Sequence, residues 1–343
     1  MVRITKDTSW PDFVTAMSGG GIVDFDRDII LTYDLSAYFK PDKFAWVKVK
    51  SGTLINGNGA QVRVYANSLS KATTNNTPRL YVMIEDGNVT IDNLTLHGRA
   101  SFRITGSNVV LKNCTVDQSN RYSSFGNTVP YNRLDNMYGC FMIYGGGTKN
   151  NIEFNNCTAI NADHMGFAVF SGSPTVTVQC TNIRYINCKA IGCGSGWEIG
   201  GHNPWGRGFD FQESKSPSDG KGGYKQSTFT CTGCCAIDCL QSGFYLEGEY
   251  FPQNVSGTIE NCHAENCGMR IANAAIAGRN LFDNIGNLGH AIPIPNKEYS
   301  SAPDVYGDGF YIPGNIVVKN CTAKNNIIGF TIGDGAYCVN CQD

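Results

Sequence analysis

The stretch "ENCHAENCG", residues 260–268, joins an asparagine to a cysteine at 261–262 and places a second cysteine, Cys267, five residues on. The same Asn-Cys pair recurs at 113–114, 156–157, 187–188, 320–321 and 340–341, with Gly233-Cys234 as a variant. The five-residue echo recurs too, as Cys193 after Cys188 and Cys239 after Cys234. A second signal interleaves with the first: Gly-Phe followed by alternation, in "GFAVF" at 166, "GFDFQ" at 208, "GFYLE" at 243, "GFYIP" at 309 and "GFTIG" at 329. Alternation at period two marks strands with one buried face. Units this short cannot bury a face alone, so they must stack. With no helical period between them, the stack is expected to be a β-solenoid. Asn-Cys then reads as an internal asparagine ladder at a turn, with free thiols packed beside it as small hydrophobes.

Composition bounds the answer. Hydrophobic residues make up 41% and charged residues 16% of the 343, enough for a large core and too little charge for disorder. The formal charge of −2 argues against a nucleic-acid partner, which leaves a basic footprint. No run of eighteen apolar residues is present, so no membrane span is expected. The opening "MVRITKDTSW" has no apolar core of a leader peptide, so the expected location is secreted, with the leader outside this chain, or virion-associated. "CTGCC" at 231–235 contains a CxxC, but it falls in the ladder register with no histidine close by, and no zinc set is expected.

The N-terminus fits a stacked rod. "TSWPDFVTAM" (8–17) offers Thr8 or Ser9 as an N-cap, Pro11 in the first turn and apolar residues at helical spacing. A short helix here would cover the open end of the stack. "GGGIVDF" (19–25) and "GTLINGNGAQVRV" (52–64) follow. Capping helix, glycine-led strand, "INGNGA" and Asn-Cys coils together resemble the right-handed parallel β-helix superfamily. Its members include pectate, alginate and chondroitin lyases, polygalacturonases, uronan epimerases and phage tailspikes. The resemblance implies an all-β fold: one single-stranded right-handed parallel β-helix of about nine coils with a short N-terminal capping helix. The expected division is a cap over 1–44 and a catalytic helix over 45–343, with groove-forming loops at 118–139, 194–228, 248–256 and 268–308.

With phenylalanine inward, the Gly-Phe strands present an outward column of Arg103, Met142, Ala168, Asp210, Tyr245, Tyr311 and Thr331. A second column reads Thr105, Tyr144, Phe170, Gln212, Glu247, Pro313 and Gly333. This reads as an exposed strip of aromatic rings, carboxylates and amides. Aromatic rings stack on sugar faces, so the expected partner is an acidic polysaccharide, bound by Tyr144, Phe170, Trp205, Arg207, Gln212, Lys215, Lys225, Tyr250 and Tyr311.

Two chemistries are expected of such a strip. β-Elimination on a uronate polymer such as alginate needs a cation or protonated group at the substrate carboxylate, a base for the C5 proton and an acid for the leaving oxygen. Lys, Tyr, His and Arg serve in the lyases that the chain resembles, and Lys221, Tyr245 and Arg270 are the candidates, with His164 at the edge as a further acid or base. Asp210 and Glu247 could instead hold calcium, an optional cofactor in this superfamily. The alternative is hydrolysis by the Asp210–Glu247 pair, whose α-carbons would stand roughly 8 Å apart at about 4.8 Å per coil and about 3.3 Å per residue. Inverting glycosidases hold their carboxyls about 6.5–9.5 Å apart. The superfamily's polygalacturonase motifs are absent. A non-catalytic carbohydrate-binding rod is the third reading. A monomer is expected, or a trimer if the chain is part of a tailspike.

Overall fold

The computed structural model describes residues 1–35, 45–65, 80–85, 87–119, 139–170, 178–194, 206–211, 227–246, 255–269 and 307–343. The chain is a right-handed parallel β-helix. One sheet has nine described strands in chain order: Ala45–Val49, Leu80–Ile84, Ala100–Ile104, Gly139–Tyr144, Met165–Phe170, Arg207–Asp210, Ser242–Tyr245, Asp308–Ile312 and Ile328–Ile332. The remaining eighteen strands form two ladders hydrogen-bonded into one sheet, and every described pairing is parallel. The first ladder runs through 109–112, 152–155, 183–186, 229–232 and 257–260. The second runs through 115–117, 158–160, 189–191, 235–237 and 263–265.

The cysteine spacing has a backbone cause. Asn113, Asn156, Asn187, Asn261, Asn320 and Asn340 all have φ between 51° and 55°, and Gly233 has φ 66°. One left-handed residue turns the chain from the first ladder into the second, and asparagine and glycine tolerate that region best. Three strand residues later a second left-handed residue ends the unit: Asn161, Gly192, Asp238, Asn266 or Asn325. Cys193, Cys239 and Cys267 each follow such a residue, which accounts for the five-residue echo.

The asparagine ladder forms, but on the outside. Asn113, Asn156, Asn187, Asn261 and Asn320 are exposed, and Asn156 Nδ2 donates to Asn113 Oδ1 over 2.8 Å. A left-handed residue at a corner aims its side chain off the rod, so only the following cysteine enters the core. Cys114, Cys157, Cys188, Cys234, Cys262 and Cys321 are at most 1% exposed, and all fifteen cysteines are free thiols.

The Gly-Phe signature has an equally physical basis. Phe102, Phe141, Phe167, Phe209, Phe244, Phe310 and Phe330 form one column of stacked rings, spaced 4.6–5.6 Å between centroids. That spacing is the interstrand distance itself, so each coil contributes one ring. A Cβ on Gly208 would lie 2.8 Å from Ala236 Cβ and 3.1 Å from Cys239 Sγ. Glycine therefore faces the core where the second ladder comes closest, and the alanine column Ala159, Ala190, Ala236, Ala264 is small for the same reason.

Helix Trp10–Gly19 closes the N-terminal end. Ser9 caps it, accepting from Asp12 N at 3.3 Å, and Pro11 stands in the first turn. Its buried face (Trp10, Phe13, Ala16, Met17) meets Phe25 and Tyr33 through Phe13. Strands Ile22–Phe25 and Ile30–Asp34 pair with 54–56 and 61–65, continuing the ladders. No described helix is long and apolar enough to cross a membrane.

Candidate functional site

The register runs through the expected outward column without a slip: Arg103, Met142, Ala168, Asp210, Tyr245, Tyr311 and Thr331 are successive partners. The expected exposure is not there. Met142 is 0%, Asp210 1%, Ala168 and Tyr245 2% and Arg103 6% exposed; Tyr144, Phe170, Tyr311 and Thr331 are half-buried. The column points away from the core, yet most of it is shielded from bulk water. Lys221, Arg270, Glu247, Gln212, Lys215, Lys225, Tyr250 and Trp205 lie outside the described residues, as do most of the four expected groove-forming loops.

Because Gly208 and Phe209 both face inward, the residues on either side of them meet outside the sheet. Arg207 Nη1 donates to Asp210 Oδ2 over 2.7 Å, and Arg207 Nε donates to Gln241 Oε1 over 3.0 Å. The guanidinium also lies 3.6 Å from the ring centroid of Tyr245, which stacks on Tyr311 at 5.0 Å. Asp210 is thus engaged by an arginine through Oδ2. Farther along the face, Arg103 lies over Tyr81 at 3.7 Å and Tyr144 at 4.6 Å, and Tyr144 stacks on Phe170 at 6.0 Å.

One residue of this face was missed in the sequence. Asp308 occupies the place before Gly-Phe that Arg207 takes two coils away, with Ser242 between them. It is 0% exposed. Burial pushes its carboxyl up to about 7, against the opposing effect of the Thr331 hydroxyl that donates to Oδ1. Its Oδ2 and the Ser242 Oγ are buried and have no hydrogen-bond partner among the described residues. The available signal was the column itself: the position two residues before phenylalanine reads Met165, Arg207, Ser242, Asp308, Ile328. His164, also expected here, is 2% exposed beside strand Met165–Phe170.

Among the described residues one thiol trio has metal-like proximity. The sulfurs of Cys231, Cys234 and Cys262 lie within 4.8 Å of one another, all buried, at the "CTGCC" segment. Their register neighbours are core residues, and Cys231 and Cys262 share an S–H···S contact of 3.8 Å.

No protein-family model and no curated protein matches this chain. Solved structures do. A pectate lyase from Paenibacillus sp. 0602 is similar at 12% identity and a TM-score of 0.43, over 94% of this chain and 70% of that one. A rhamnogalacturonan lyase is similar at 14% and 0.41, over 93% and 76%. The A-module of mannuronan C-5 epimerase AlgE4 from Azotobacter vinelandii is similar at 11% and 0.36, over 99% and 91%.

Proposed function

We propose that this chain is a carbohydrate-active enzyme cleaving an acidic, uronate-containing polysaccharide such as alginate by β-elimination on the outer face of the nine-stranded sheet. The observation that carries the reading is Asp308. A carboxyl held near pH 7 by burial is largely protonated in mildly acidic solution and can donate a hydrogen bond to a substrate carboxylate. That supplies the neutralising group that elimination needs before the C5 proton becomes acidic enough to remove. Tyr245, on the neighbouring strand of the same sheet, is the candidate for proton transfer, and the half-buried rings of Tyr311, Tyr144 and Phe170 are candidates for stacking on sugar units. Lys221 and Arg270 remain the proposed basic partners. A secreted or virion-associated location and a monomeric state belong to the same proposal.

A second reading is glycoside hydrolysis by the Asp210–Glu247 pair, supported by Asp210 lying on this sheet face against the Arg207 guanidinium. The deciding experiment mixes the chain with alginate, pectate, hyaluronan, chondroitin and gellan in turn. A rise in absorbance near 235 nm reports the unsaturated uronate that only elimination makes. New reducing ends without that rise would replace elimination by hydrolysis, and neither signal on any polymer would sink both.

A further inference from the structure

A different face of the molecule carries a constellation that the proposed chemistry does not use. On the second ladder the outward column runs Thr32, Arg63, His97, Asp117 in unbroken register. These four, with Tyr65 and Gly98, line a cavity of about 320 Å³. That is the small end of the range for ligand pockets.

The groups in it are arranged. His97 Nδ1 stands 3.5 Å from Asp117 Oδ2, with 29% and 22% of the two side chains exposed. Asp117 is itself anchored, its Oδ1 accepting from Ser119 N at 2.9 Å and Ser119 Oγ at 2.5 Å. Burial pushes the Asp117 carboxyl up, but the hydrogen bonds from His97 and Ser119 outweigh it and bring it down to about 2. The aspartate is therefore ionised and occupied. It orients the imidazole through Nδ1 and leaves Nε2 as the nitrogen available to a ligand. Arg63 is exposed, and among the described residues its side chain has one partner, Gln61 Oε1 at 2.8 Å. Most of its fork is open to an oxyanion. Gly98 keeps the floor low: a Cβ there would lie 2.4 Å from Val64 O, at a φ of +87°.

We propose that this cavity is an accessory site for the carboxylate-bearing unit of an acidic sugar chain, with Arg63 gripping the carboxylate and the His97–Asp117 pair and Tyr65 receiving the ring. It rests on the reading that the substrate is a uronate polymer, and it lies on a sheet other than the one proposed for cleavage. A cavity with one carboxylate, already engaged, and an open guanidinium selects an anion. Its hydroxyls and imidazole suit a polyol rather than a bare ion.

The test uses D-glucuronate, which has no glycosidic bond to cleave, and follows the His97 ring signals of the full chain by NMR. A saturable shift with glucuronate, absent with glucose and at least ~10-fold weaker in Arg63→Gln, is the expected result. Circular dichroism should be unchanged in that variant, since Arg63 is exposed. No shift at His97, equal binding by Arg63→Gln, or displacement of glucuronate by an equal concentration of inorganic phosphate would overturn the proposal. The two readings fail separately. Arg63-dependent binding with no polymer cleaved removes the cleavage reading alone, and cleavage with glucuronate binding unaffected by Arg63→Gln removes the accessory site alone.

Discussion

Asp308 concentrates the chemistry of the sheet face in one side chain. If it neutralises a substrate carboxylate, what matters is a neutral hydrogen-bond donor, and Asp308→Asn still supplies one. Asp308→Asn is then expected to keep activity within about tenfold and to lose the decline expected of wild type as pH rises through about 7. Asp308→Ala should lose on the order of a hundredfold, the usual scale for removing one such donor. If Asp308 is instead a general acid, both variants fail alike, and initial rates across pH 5–9 separate the cases. Stability carries the same signature. The folded carboxyl sits above its ordinary value, so the folded state holds the extra proton. This favours folding at low pH and is lost as pH rises through about 7. Asp308→Asn, which cannot ionise, should raise the melting temperature at pH 8.5 and change it little at pH 3.5, below the ordinary aspartate value of 3.8. A variant less stable than wild type at both would contradict the assigned burial penalty. None of this was legible in "YGDGFY" as a string, because an aspartate before a glycine is ordinary turn chemistry. It becomes a buried acid only when the coils above and below it are in place.

At the scale of the element, the corner residues are the most exacting. Asn156 has φ 52° and hydrogen-bonds to Asn113 on the coil before it. Asn156→Gly keeps the conformation and loses one exposed hydrogen bond, so it should cost under ~1 kcal/mol. Asn156→Val forces a β-branched residue into the left-handed region and should cost about 2 kcal/mol or more, read from the denaturation midpoint at constant m. The corner was visible in the sequence as a recurring dipeptide. What was misjudged was its direction, because a repeat reports that positions are equivalent and says nothing of which way they point. The second corner was missed for a different reason. Its left-handed residue is Asn, Gly or Asp at different coils (Asn266, Gly192, Asp238), so backbone geometry repeats where residue identity does not.

For the whole molecule, the stacked core governs access to the thiols. Twelve of the fifteen cysteines are buried, Cys235 and Cys341 are half-buried and Cys338 is exposed. A thiol reagent should therefore titrate no more than three groups in the native chain and all fifteen in denaturant. Rapid native reaction of many more would mean that the coils open locally. Cys114, Cys157, Cys188, Cys234, Cys262 and Cys321 each follow the first corner residue and are packed into the core as free thiols. Spacing within the stack follows the backbone, which is why the phenylalanine rings repeat at the interstrand distance.

Architecture and register can be read from the chain alone. Asn-Cys corners, Gly-Phe strands and the capping segment at Ser9 are local rules of backbone conformation and packing, repeated often enough to be read without coordinates. The outward column from Arg103 to Thr331 follows from that register alone. Which members of the column are shielded, that Arg207 reaches Asp210 and Tyr245, and that Asp308 is buried with an oxygen lacking a hydrogen-bond partner among the described residues emerge only once the coils are stacked. Stacking alone gathered Arg63, His97 and Asp117, separated by 34 and 20 positions in the chain, around one cavity. Periodicity is a property of neighbours along the chain. Burial, pKa and convergence depend on residues one or two coils away, whose distance in sequence is set by loops of unequal length.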